Sequence, residues 1–211
     1  VSDQQPPAND DDGAARALPD VPEDIAAAAR LAPDHWLGAV DPAWRGEGPP
    51  PEWAVVGEWR SGMDGGVVEW RDNDDYRPSP ATLGWPEPTD PVDEAVQLAS
   101  TGYGPEEDVT RLLASAEVAV LLGPDGGPLA ARTPDGSAVV PIFTSESHLL
   151  SVGQLASRIL PMTDVAGQLP EGHRVYVNPT GPVSMVVDTE ALVAALQALT
   201  PAPTTPTEKM P

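Results

Sequence analysis

The sequence predicts an α+β protein in two parts. A Trp-rich three-stranded antiparallel meander comes first, followed by an α/β domain with a mostly antiparallel sheet and flanking helices. Three observations predict this. All six Trp, at 36, 44, 53, 59, 70 and 85, fall in one early stretch. Residues 139–143, Val-Val-Pro-Ile-Phe, are apolar at both strand parities and run into Thr144-Ser145-Glu146, a helix start. Between and after them, periods near 3.6 alternate with short apolar runs.

The first 20 residues are rich in Asp, Pro, Gln and Ala and read as a disordered acidic N-terminus. Asp10-Asp11-Asp12-Gly13 lacks the alternating ligands and closing Glu of a calcium loop. Residues 21–89 read as the Trp-rich β module. A short helix opens near Pro22, with Asp20 as cap, Glu23 returning the cap, and Ile25, Ala28, Ala29 and Ala32 as its apolar stripe. Residues 36–40 form a first strand. Trp53, Val55, Gly57 and Trp59 share one parity of a second, and Val68 and Trp70 share a face of the third. The turn 61–66, Ser-Gly-Met-Asp-Gly-Gly, joins the last two. The Trp side chains then supply a core that the few aliphatics here cannot; a Trp-lined binding surface at Trp53, Trp59 and Trp70 is the alternative. Residues 77–90 are Pro-punctuated, and the domain boundary is placed at 89/90.

Residues 90–199 read as the second domain. Asp90-Pro91-Val92-Asp93 is a capped helix start, and Gly102 closes that helix. Val109, Leu112, Leu113 and Ala116 give the next helix a buried stripe. Residues 118–122 form a strand buried on both faces. A short strand at 129–132 and the strand at 138–143 continue a meander. In the latter, Val139, Pro141 and Phe143 face one way and Val140 and Ile142 the other. Pro141 donates no hydrogen bond, so one side of the strand is expected to be unpaired there. A helix from about Ser145 carries Leu149, Leu150 and Leu155 with an interruption near Gly153, and a helical turn spans 163–169. Strands at 175–177 and 183–187 flank the turn Asn178-Pro179-Thr180-Gly181. Asp188 caps a last helix with Leu192, Val193, Leu196 and Leu199 buried. Residues 200–211 read as a disordered Pro/Thr tail.

Charge narrows the functions. There are 33 acidic residues against 11 Lys and Arg, a formal net charge of −22. Nucleic acids and anionic membranes need a cationic surface, so neither is an expected partner. No apolar run approaches the ~20 residues of a membrane span, and no charged-then-apolar segment at the start of this sequence resembles a signal peptide, so a cytoplasmic location is expected. With no Cys, thiolate chemistry and Cys-bound metals are absent. The His residues at 35, 148 and 173 share no metal-ligand spacing. No phosphate-cradling or dinucleotide motif is present, and neither metal nor cofactor is expected. Ser145 or Ser147 with His148 could formally build a hydrolase, but neither lies in a Gly-x-Ser-x-Gly elbow. A pair of such side chains on opposite faces would remove that reading. Tyr103 and Glu107 fit a Tyr-x-x-x-acid pattern, with Gly104 and Pro105 intervening.

The second half resembles the SseB N-terminal-domain family, named for enhanced serine sensitivity. The resemblance rests on residues 118–122, on Pro-Ile-Phe-Thr-Ser-Glu at 141–146 and on Val177-Asn178-Pro179, and covers roughly 91–199. It implies a small α+β fold without established chemistry. The whole chain is also similar to actinobacterial type VII secretion system-associated proteins. That similarity is carried by residues 31–38, by Asp41-Pro42-Ala43-Trp44, and by residues 51–57, 69–73 and 83–86. It implies genomic or physical association with the secretion apparatus and no known reaction. Together with the acidity and the missing catalytic constellation, it makes the expected function that of a non-catalytic accessory or adaptor protein binding a protein partner such as a secretion component, with oligomeric state left open. The expected contact residues are Phe143, Thr144, Ser145, His148, Asn178 and Pro179, with Trp53, Trp59 and Trp70 where uncovered. A sensor for a small molecule or peptide is the alternative.

Overall fold

A computed structural model describes residues 18–199. The expectations for residues 1–17 and for 200–211 lie outside them. The chain divides into two compact units, at Tyr76/Arg77.

The first unit begins with helix α1 (Glu23–Leu31) and a three-stranded antiparallel sheet, β1 (Trp36–Val40), β2 (Val55–Ser61) and β3 (Val67–Asp72), in the order β1-β2-β3. This is the expected meander. Pro22, not Asp20, stands at the N-cap of α1, without a side-chain hydrogen bond. Proline lacks the N–H that a helix start leaves unpaired, so it fits there without a capping group. Trp53 lies in a 3-10 turn (Glu52–Ala54) ahead of β2, so it is outside the strand parity expected of it. The register sets Leu37, Trp59 and Trp70 side by side across the sheet. Trp59 is buried, and its ring centroid is 4.4 Å from that of Trp70. Trp44 and Trp53 meet edge to face at 5.5 Å. Trp36 is exposed on the other face, under the Arg71 guanidinium at 4.4 Å. The Trp set is thus split between core and surface.

Two polar residues tie this unit together. Buried Asp41 accepts from the Ala43 N–H at 2.8 Å and from the Tyr76 hydroxyl at 2.6 Å. The Asn73 amide donates to the carbonyls of Glu52 and Val55, both at 2.7 Å.

The second unit opens with the irregular stretch after Tyr76, which the sequence-based boundary had grouped with the Trp-rich module. Here the Tyr103 hydroxyl donates to the Arg77 carbonyl, and the Gln97 amide to that of Pro86. Helices α2 (Pro91–Thr101) and α3 (Glu106–Ala114) follow. Asp90 caps α2, accepting from Val92 and Asp93 N–H, and Gly102 closes it at φ 82°. That value lies in the left-handed region that glycine enters without steric cost.

The sheet comprises β4 (Glu117–Leu121), β5 (Ala131–Arg132), β6 (Ala138–Phe143), β7 (Ser157–Pro161), β8 (Arg174–Val177) and β9 (Met185–Val187). Its order is β7-β4-β6-β8-β9, with β5 also on β6. Only β6 and β8 run parallel. Helices α4 (Glu146–Leu150), α5 (Met162–Gly167) and α6 (Thr189–Leu199) complete the unit. One sheet face, with Val118, Val120, Val140, Ile142, Val175 and Val177, packs with residues of α2, α3, α5 and α6 into the main core. The other face gathers Ala119, Leu121 and Phe143 with Leu129, Leu149 and Val152. The two faces of 139–143 therefore separate as the alternation requires. On one side of β6, β5 pairs at 138–139 and β4 at 142–143, leaving Pro141 in the gap; on the other, Pro141 faces Tyr176. Proline occupies the one stretch where that side makes no ladder bond.

Two further expectations are corrected. The helix after Ser145 ends at Leu150, and β7 then pairs antiparallel with β4. Leu150 and Leu155 are exposed, so neither holds the longer helix against the core. In α6, Leu192 is fully buried, but Val193 and Leu199 are exposed. The buried stripe is narrower than the run of apolar residues.

Candidate functional site

The carboxyl ends of the parallel pair β6 and β8 lie together. Thr144 and Ser145 follow β6, and Asn178 follows β8. Asn178 is fully buried at φ 47°, in the left-handed region that Asn tolerates better than most residues. Its Oδ1 accepts from the Thr144 N–H at 2.9 Å, and its Nδ2 donates to the Thr144 hydroxyl at 2.8 Å. That hydroxyl donates to Asp90 Oδ2 at 2.5 Å, while Asp90 Oδ1 holds the first turn of α2. One chain of hydrogen bonds thus joins two strand ends to a helix start. Ser145 caps α4 through the His148 N–H, and its hydroxyl contacts Thr89 Oγ1 at 3.0 Å and Ser147 Oγ at 2.9 Å.

Beside this network lies an open cleft of about 320 Å³. Thr89, Asp93, Gln97, Ser147, His148 and Thr180 are among the residues that line it. Asp93 and His148 are buried, and Asp93 Oδ2 stands 3.2 Å from His148 Nε2. The contact lacks the alignment of a hydrogen bond, since His148 Nε2 has no hydrogen-bond partner. The other Asp93 oxygen, Oδ1, has none either. The turn after β8 comes close to the ring: a Cβ on Gly181 would lie 3.3 Å from His148 Cε1.

The expected contact residues mostly turn inward. Phe143, Asn178 and His148 are buried, and Thr144, Ser145 and Pro179 are half-buried. In the first unit, Trp59 is buried, while Trp53 and Trp70 are half-buried. Ser147 and His148 do not point apart; they share the cleft with Asp93. A hydroxyl, an imidazole and a carboxylate therefore meet at one site. Yet the hydrogen bonds of the Ser145 and Ser147 hydroxyls run to each other, to Thr89 and to backbone, and none reaches the imidazole. The nucleophile-to-base contact of a hydrolytic triad is not made. Asp93, Gln97 and Thr180 were missed from sequence. Asp93 reads there only as a first-turn acid of α2, and its pairing with His148 depends on tertiary structure. Among the described residues, no group of three or more His, Asp or Glu is placed to hold a metal ion, and no helix is long and apolar enough to cross a membrane.

Residues 92–194 match the family model of the SseB protein N-terminal domain. This part of the chain is an SseB-like domain. Neither the curated proteins nor the solved structures contain a match to the chain. The SseB-like domain takes in α2 through most of α6, and with them Asp93, Thr144, Ser145, His148 and Asn178. Asp90 and Thr89, which cap and brace its first helix, lie just ahead of the matched stretch.

Proposed function

We propose that the chain is a non-catalytic accessory protein of a type VII secretion system that works by docking another protein. The observation that carries the docking is the outer strand β7. It ends the sheet, so among the described residues one of its edges has no strand neighbour. Ile159 stands opposite Ala119, on the same sheet face, and is 67% exposed. Leu155, just before the strand, is 55% exposed. A free edge beside apolar side chains favours the addition of a partner strand, in which the backbone gives affinity and side chains give selectivity. The secretion context is supported by the resemblance of residues 31–38, 51–57 and 69–73 to secretion-associated proteins. The acidity of the chain further favours a basic partner over nucleic acid.

The test is co-purification from the native host with Ile159→Asp beside the unaltered chain. Recovery of a secretion component that the substitution abolishes supports the reading. Recovery of none, or equal recovery with both chains, overturns it.

A sensor for a small ligand is the second reading, favoured by the cleft with its buried Asp93 and His148. Thermal shifts with a panel of amino acids and nucleotides test it, since a ligand that binds only the folded chain raises Tm.

A further inference from the structure

Two buried polar atoms in the SseB-like domain lack hydrogen-bond partners, Asp93 Oδ1 and His148 Nε2. Their side chains are 1% and 8% exposed, and both residues line the same cleft. Folded proteins leave few such atoms unsatisfied, because an unpaired buried polar group loses its water without return. The remaining Asp93 oxygen is already used, accepting from the Thr89 N–H at 2.9 Å. Oδ1 is therefore a spare acceptor on a fixed carboxyl group.

The surroundings decide what it can accept. An anion meets no Lys or Arg side chain and no free N–H at the start of α2. The N–H groups of Val92 and Asp93 at the start of α2 donate to Asp90 Oδ1, and that of Glu94 to the Asp90 carbonyl. No Lys or Arg lines the cleft, and Glu87 does. The wall instead offers oxygen acceptors on Thr89, Ser147, Thr180 and Gln97. His148 Nε2 stands 3.2 Å from Asp93 Oδ2, turned to that carboxylate rather than to the cleft's other oxygens. An ammonium or guanidinium group carries several N–H donors on one centre, and so suits Asp93 Oδ1 together with these wall oxygens.

We propose that this cleft binds a cationic N–H group, a primary ammonium or a guanidinium, through Asp93 Oδ1. Such a group comes either from a free amine or from a basic side chain of a partner. The site shares no residue with β7, so its failure leaves the docking reading intact. Water is the competing occupant, since one molecule could donate to Asp93 Oδ1 and to a wall oxygen.

The test is NMR of the full chain at constant ionic strength, following the His148 ring protons, which His148→Gln assigns. The probes are methylammonium, methylguanidinium and a blocked Ala-Arg-Ala peptide, with tetramethylammonium and acetate as controls. We expect saturable shifts with the first two and none with the controls. Asp93→Asn should weaken binding at least tenfold. Ser147→Phe, an exposed change at the cleft mouth, should weaken it while the fold stays intact by circular dichroism. Tighter binding of the peptide than of methylguanidinium assigns the group to a partner's side chain; binding of the free ions alone assigns it to a small amine. Either supports the proposal. No shift with any N–H cation means that water fills the site, and the proposal fails. Equal shifts with tetramethylammonium or acetate, or binding unchanged in both variants, also overturn it.

Discussion

Single residues decide much of the local geometry. Gly57 lies under the Trp70 ring, and a Cβ there would stand 2.3 Å from the nearest ring carbon and 2.5 Å from the Arg71 carbonyl oxygen. Gly57→Ala should force that ring or the strand aside and cost about 1–3 kcal/mol, the range for overpacking, read as a lower urea midpoint. Asn178 is a second such position. Replacing it with Ala removes the partner of the Thr144 N–H and places Ala at φ 47°. A loss of about 2–4 kcal/mol is expected in thermal or urea unfolding, from an unsatisfied buried donor plus backbone strain. A third is electrostatic. The Thr133 hydroxyl, then the Ser137 N–H and hydroxyl, hold the Asp135 carboxyl below its ordinary range. A depressed folded value means that the contribution is present above the unfolded pKa and lost as pH falls through the folded one. Thr133→Val should move the Asp135 titration upward, as followed by carboxyl NMR. Asp135 is fully exposed, so the effect on stability is expected to be small.

At the level of elements, local chemistry was legible where it had a local cause. The cap, proline and glycine of α2, the apolar runs of β4 and β6, and the hairpin of β2 and β3 are all set by neighbouring residues. β7 was not legible. In 157–161, Ser-Arg-Ile-Leu-Pro, only Leu160 is partly buried, and the strand exists because β4 offers it an edge. A segment whose partner makes it a strand leaves no alternation to read. The site shows the same division. Thr144, Ser145 and Asn178 could be picked out as strand-end residues, whereas the meeting of Asp93 with His148 depends on where α2 and α4 pack. Ile159→Lys tests the exposed face of β7 directly. Stability should change by no more than about 0.5 kcal/mol, as at other surface positions, while partner binding is lost.

Across the whole molecule the apolar content is unevenly shared. Among the described residues, only Ala29, Ala54 and Trp59 are buried hydrophobic residues in the first unit, whereas the second holds the main core on one face of its sheet. Small cores give small stability, so two thermal transitions are expected, the first unit melting lower. Gly57→Ala should lower only the earlier transition, and a single sharp transition moved as a whole would contradict this. The topology also bears on synthesis. The connection from β6 to β8 travels by way of β7, at the far side of β4. A nascent chain that has emerged from the ribosome as far as Pro170 therefore already presents β6, but no strand to pair its β8 side. That open strand edge stays available to chaperones until β8 follows, and chaperone binding should vanish once Val177 clears the exit tunnel.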